Sequence, residues 1–125
     1  VKTAILLIAH GSRRADANAD LHHLADRLRQ GGSEVVVASF LELAEPDIET
    51  GGRLCVAGGA GRVVLTPYFL SAGVHVRRDL AAARQRLQDE FPGVAFLLAE
   101  PLGRHPLLAE VVAQRVGEAL ADAAG

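Results

Sequence analysis

The sequence predicts an α/β fold: one domain over residues 1–125, built on a four-stranded parallel sheet in the order 2-1-3-4, with helices on both faces. Three observations predict it. A chain of 125 residues is the length of one domain. Short continuous apolar runs, the mark of strands buried on both faces, alternate with segments of helical period. Most Gly and Pro residues fall between the segments or at their ends, Gly51, Gly52 and Gly117 being the ones inside helices. Strand–helix alternation of this kind gives parallel pairing with right-handed crossovers.

Thr3–Ala9 (TAILLIA) is the first strand, ended by His10-Gly11-Ser12. Over Asp16–Gln30 the period changes: Leu21, Leu24, Ala25 and Leu28 share one helical face, and Gly31-Gly32 stops the helix. Glu34–Phe40 is the second strand. Pro46 suits the first turn of a helix running to about Gly58, with Asp47 and Glu49 in its opening turn; Gly51 and Gly52 lie inside it, each costing about 1 kcal/mol against Ala. Arg62–Tyr68 is the third strand, with Pro67 marking its end, and Val76–Glu90 is a helix with Leu80, Ala83 and Leu87 on one face. Val94–Leu98 is the fourth strand. Pro106–Ala121 is the last helix, with Leu108, Val112, Val116 and Ala119 expected to face inward.

Composition narrows the function. A formal net charge of -2 and only 4% aromatic residues argue against a nucleic-acid partner, which calls for basic excess and stacking rings. No apolar run approaches the ~18–20 residues of a membrane span. No basic region or small-residue cleavage site accompanies the first strand, as a signal peptide would require. The lone Cys55 cannot form an internal disulfide and reads as a small buried apolar side chain. A cytoplasmic protein without membrane contact is expected.

Ligands of open parallel sheets bind beyond the carboxyl ends of strands, where the strand order reverses. With order 2-1-3-4 that point lies between strands 1 and 3. The loops there are Ala9–Arg14 and Phe69–His75, and each holds one histidine, His10 and His75. Two neutral imidazoles can bind a borderline divalent metal, in an open site rather than a closed four-ligand one, or accept protons near neutral pH. Arg13, Arg14, Arg77 and Arg78 flank the two loops, and guanidinium groups pair well with carboxylates. After strand 2, Glu45 offers a carboxylate or a plain helix-start residue. His22 and His23 read as solvated and His105 as a turn residue. Ser12 sits in no Gly-x-Ser-x-Gly elbow, and no phosphate-cradling Gly loop follows a strand.

Taken together, these segments resemble a known family. His10-Gly11-Ser12-Arg13, then Phe40 to Pro46 (FLELAEP), then Pro67 to Val76 (PYFLSAGVHV) with Asp79, then Glu100-Pro101-Leu102-Gly103 are similar, in order and spacing over nearly the whole chain, to the sirohydrochlorin chelatases of the small cobalamin-biosynthesis type. The resemblance implies a chelatase-like three-layer fold and insertion of a divalent metal (Co2+, alternatively Fe2+ or Ni2+) into sirohydrochlorin, with the metal as substrate and no permanently bound cofactor. It implies His10 as proton acceptor and metal ligand, His75 as second metal ligand, and Glu45 with Leu70, Ser71, Ala72, Gly73, Val74 and His75 as substrate-binding positions. Sirohydrochlorin is rich in carboxylates, which fits arginine flanks in an acidic chain. Longer members carry two similar halves and this chain has the length of one, so a homodimer is expected to wall in the tetrapyrrole. A metal or tetrapyrrole carrier using the same loops is the alternative reading.

Overall fold

The computed structural model describes residues 1–124. Its elements are β1 (Thr3–Ala9), α1 (Ala15–Gln30), β2 (Val35–Phe40), α2 (Ile48–Ala57), β3 (Arg62–Pro67), α3 (Val74–Glu90), β4 (Ala95–Leu98) and α4 (Pro106–Ala124). The four strands form one parallel sheet in the order β2-β1-β3-β4, so the expected fold class and strand order hold. The apolar strands run centrally because their residues are buried on both sides: in β1, Leu6, Leu7 and Ile8 are all inaccessible or nearly so.

Each face has its own core. On one face, Ala4, Leu6, Ile8, Val63, Leu65 and Phe96 meet Cys55 of α2 and Leu80, Ala83 and Leu87 of α3. On the other, Leu7, Val36 and Ala38 meet Leu21 and Ala25 of α1. Burial pushes the Cys55 thiol up to about 12, so it packs as an apolar group rather than as a nucleophile.

The two glycines inside α2 have a packing reason. A Cβ at Gly51 would stand 2.8 Å from Leu6 Cδ1 and 3.0 Å from Ser39 Cβ, and one at Gly52 would stand 2.6 Å from Leu87 Cδ1. Both residues are buried; their lack of side chains lets α2 close onto the sheet and onto α3, offsetting their low helix propensity. The helix begins later than Pro46: Asp47 is its N-cap, accepting a hydrogen bond from the Thr50 N–H at 2.8 Å. That bond holds the Asp47 carboxyl below its ordinary range.

One expectation fails. Leu108, Val112, Val116 and Ala119 do not face inward: no described residue of α4 is buried, and α4 makes no extended contact with any other element. The apolar stripe is present, but the chain leaves β4 through a loop that carries the helix off the sheet. A smaller correction concerns α3, which starts at Val74 rather than Val76. His75 therefore stands on the first turn of a helix and not in a loop.

Candidate functional site

The carboxyl-end loops of all four strands are laced together by their backbones. The Leu41 N–H donates to Ala9 O at 2.9 Å, and the Glu42 N–H to His10 O at 3.1 Å, joining the β1 and β2 loops. Gly11 lies between them at φ 95°; a Cβ there would come within 1.8 Å of Glu42 O. Only glycine combines that φ with that approach. The Tyr68 N–H donates to Ile8 O at 2.7 Å and the Leu102 N–H to Phe69 O at 3.0 Å, carrying the lacing across β3 to the β4 loop. Gly103 repeats the close approach, its absent Cβ lying 2.1 Å from Leu70 O.

His10 is at the hub. It is exposed, and its ring lies on that of Phe69 with centroids 4.5 Å apart and planes tilted by 30°. Phe69 itself packs against the core, so it offers His10 a fixed apolar platform. The following turn is held by Asn18 of α1: its Oδ1 accepts from the Ser12 N–H at 3.0 Å and its Nδ2 donates to Ser12 O at 2.8 Å. His75 is exposed at the start of α3, after the Gly73 cap. Among the described residues no three His, Cys, Asp or Glu side chains gather around one point, so Glu45 joins neither histidine in a three-ligand set.

Around this hub lie three shallow clefts that open to solvent. One, of about 460 Å³, is lined by Glu42, Leu43, Glu45 and Asp47. A second, of about 280 Å³, is lined by His10, Gly11, Ser12, Asn18 and Tyr68. The third, of about 490 Å³, is lined by Leu70, Ser71, Arg77, Glu100 and Arg104. Together they form a broad shelf along the sheet's carboxyl edge rather than a single deep hole. Leu70, which lines the third cleft, and Val74, at the start of α3, are largely exposed, at 63% and 64%; exposed apolar side chains at such an edge suit a flat ring system.

The four arginines fall into two kinds. Arg14 is paired with Asp16 at 3.1 Å, and Arg77 is paired with Glu100 at 3.5 Å while its Nε donates to Ala72 O at 3.1 Å. Arg77 thus braces the Leu70–Gly73 loop against the β4 loop. Arg13 and Arg78 are exposed and, among the described residues, have no carboxylate partner in the chain. His22 and His23 are exposed. His105 caps α4, its Nδ1 accepting from the Leu107 N–H at 3.2 Å.

The Phe69 platform and the Asn18 brace were not read from the sequence. Phe69, with Tyr68, reads from the sequence as a dimer contact, a substrate contact or a ring buried in the monomer, and nothing in the pattern puts it beneath His10. Asn18 sits on a polar helix face where periodicity assigns nothing, and only its six-residue spacing to Ser12 across a turn could have drawn notice.

A 2-1-3-4 parallel sheet crowned by one continuous shelf of carboxyl-end loops, with an exposed histidine stacked at its centre, is the architecture of a ligand-binding α/β protein with its site at the switch point. The chain belongs to the CbiX family, whose model matches residues 4–119. It is 37% identical over 122 residues to a chloroplastic sirohydrochlorin ferrochelatase of Arabidopsis thaliana, covering 97% of this chain and 54% of that protein. It is 33% identical over 127 residues to a sirohydrochlorin cobaltochelatase of Methanosarcina acetivorans, covering 95% of this chain and 98% of that protein. Its fold superposes with a TM-score of 0.85 and 29% identity on the sirohydrochlorin chelatase SirB of Bacillus subtilis subspecies spizizenii in complex with cobalt, covering 94% of this chain and 51% of that one. The chain thus spans about half the length of some relatives and nearly the full length of others.

Proposed function

We propose that this chain is a sirohydrochlorin metal chelatase, inserting a divalent metal into the macrocycle, with cobalt first among the candidates and ferrous iron or nickel compatible with the same donors. The observation that carries the reading is the His10 ring held on Phe69 at the hub of a broad open shelf, in a chain of this family.

Insertion replaces pyrrole N–H bonds by metal–nitrogen bonds, so protons must leave as the metal enters. His10 has the chemistry for both tasks, but one imidazole nitrogen cannot hold metal and proton together; the roles are sequential or use different nitrogens. His75 is the second metal ligand. Glu45 and the Leu70–His75 segment hold substrate, with Leu70 and Val74 against the ring face. Arg13 and Arg78 meet substrate carboxylates, and Arg14 and Arg77 do so by exchanging their present carboxylate partners for those of the substrate. Residues 1–125 act as one chelatase-like unit, paired as a homodimer so that the macrocycle has a second wall. No helix among the described residues is long and apolar enough to cross a membrane, and we place the reaction in the cytoplasm.

The test is initial rates of Co2+, Fe2+ and Ni2+ insertion into sirohydrochlorin against the uncatalysed rates. Acceleration of at least one supports the assignment. Binding of metal and macrocycle without acceleration overturns it in favour of a carrier.

A further inference from the structure

Beyond the arginines of the β1 and β3 loops, the shelf holds another that the fold does not explain. Arg104 stands in the loop between β4 and α4, exposed, at φ 67°. The His105 N–H donates to Leu102 O at 3.2 Å, closing a tight turn over Gly103 and Arg104. Arg104 is the third residue of that turn and the one with positive φ, the position where a type II turn ordinarily takes glycine or asparagine. A long side chain is strained there, and the strain has no local return: among the described residues the Arg104 guanidinium has no carboxylate partner.

Nor is the turn free to relax. The Ala99 N–H donates to Leu65 O at 2.9 Å and the Leu102 N–H to Phe69 O at 3.0 Å, and Gly103 is wedged on Leu70 O. The surroundings hold a strained residue in place, which is how strain persists at sites that act on ligands.

The position on the shelf supplies a reason for an arginine. Arg104 lines the 490 Å³ cleft together with Leu70, Ser71, Arg77 and Glu100. Two guanidinium groups there meet one carboxylate, and Arg77 already engages it, at 3.5 Å. The charge of Arg104 is left unmatched beside the exposed apolar side chain of Leu70. A ligand with a flat apolar body and a carboxylate on its rim satisfies both.

We propose that Arg104 anchors the substrate: its guanidinium takes one peripheral carboxylate of the macrocycle in this cleft while the ring lies against Leu70. The inference rests on the chelatase reading above and adds to it a contact from the β4 loop. Because the same turn is bonded to Phe69 O, and Phe69 carries the His10 ring, the anchoring charge is held in fixed relation to His10. It therefore orients the ring as well as attracting it.

The test is steady-state insertion into sirohydrochlorin, with thermal melts, on the wild type, Arg104→Gly and Arg104→Gln. Arg104→Gly separates anchoring from scaffold, because it relieves the turn while removing the charge. Its Tm should equal or exceed that of the wild type, yet its KM should rise about fivefold with kcat within about twofold. Arg104→Gln should show the same rise in KM. A KM within twofold of wild type in both variants overturns the anchor and leaves the chelatase standing. A rise in KM that comes with a lowered Tm in Arg104→Gly marks a scaffold role and also overturns it. A wild type that does not accelerate insertion overturns the chelatase reading. The anchor is then judged by absorbance titration with sirohydrochlorin alone: weaker binding in both variants upholds it, and unchanged binding overturns it.

Discussion

Gly11→Ala is the sharpest single perturbation of this fold, because one methyl group meets two independent obstacles. The first is conformational: φ is 95°, where an L side chain costs about 1–2 kcal/mol. The second is steric. The new Cβ would lie 1.8 Å from Glu42 O and 3.0 Å from Glu42 C. The obstacle is backbone, not the free end of a side chain, so the β2 loop itself must retreat by about 1.2 Å to reach the 3.0 Å limit of real contacts. Retreat of that size breaks the 3.1 Å bond from the Glu42 N–H to His10 O, a further ~1 kcal/mol. The total is about 3 kcal/mol. For 125 residues this lowers Tm by about 10 °C, taking an unfolding entropy of roughly 2 cal/mol/K per residue. Activity should fall about 100-fold beyond any loss of folded protein, since the shift separates His10 from the β2 side of the shelf by about 1 Å. Thermal melts followed by circular dichroism, with insertion rates well below the melting range, give both quantities. Gly93→Ala is the control: its Cβ meets nothing within 4 Å, and its Tm should stay within about 2 °C. A Gly11→Ala protein with Tm within 3 °C of wild type and full activity would refute the reasoning.

Other substitutions separate chemistry from scaffold. His10→Ala and His75→Ala should each reduce insertion by about 100-fold or more with an unchanged circular dichroism spectrum, because both are exposed and leave no core cavity; His22→Ala and His23→Ala should stay within about twofold of wild type in the same assay. Arg13→Gln and Arg78→Gln should raise KM for sirohydrochlorin more than they lower kcat, and added salt should mimic them by screening over about 8–10 Å; a KM indifferent to salt contradicts this. Asp47→Ala removes the α2 cap and should cost about 1 kcal/mol in denaturant unfolding. The folded-state pKa of Asp47 is lowered, so its charged-cap contribution is fully present above the ordinary carboxylate pKa. It is lost as pH falls through the lowered value, and the gap between wild type and Asp47→Asn should close there.

The strands were legible because burial on both faces leaves a signal that lies wholly in consecutive residues. TAILLIA could be nothing else at that length, and β2, β3 and β4 follow within one or two residues. The α2 glycines were legible only as a conflict with helix propensity; the resolution, contact with Leu6, Ser39 and Leu87, depends on three elements far away in sequence. α4 marks a firmer limit. Its period declares an apolar face, but periodicity is a property of one helix and says nothing about which surface receives it. For the site, the motif loops placed His10 and His75 at one end of the sheet. They did not disclose the helical setting of His75, which follows from Gly73 capping α3 without a side-chain bond. Nor did they disclose the carboxylates that already engage Arg14 and Arg77.

An open metal site is what the proposed function would require. An enzyme that delivers metal must lose it to the acceptor, so its own ligands have to bind less tightly than the macrocycle's nitrogens. A closed shell of four protein donors would hold a first-row metal too well to release it. Here the described residues bring no three metal-binding side chains together, and if His10 and His75 are the ligands, as proposed, two imidazoles would leave most coordination positions to water and to the incoming macrocycle. Openness has a second use. A flat, carboxylate-bearing ring can reach His10 only across the shelf, and the three clefts on it are all solvent-facing. The rigidity needed for proton removal must therefore come from beneath the ring rather than from enclosure. Phe69 under the imidazole, Asn18 holding the Ser12 turn, and Gly11 locking the β1 loop onto Glu42 supply it from below. On the proposed function, a site built this way would bind metal loosely yet aim its base accurately, and those are separate properties because different residues set them.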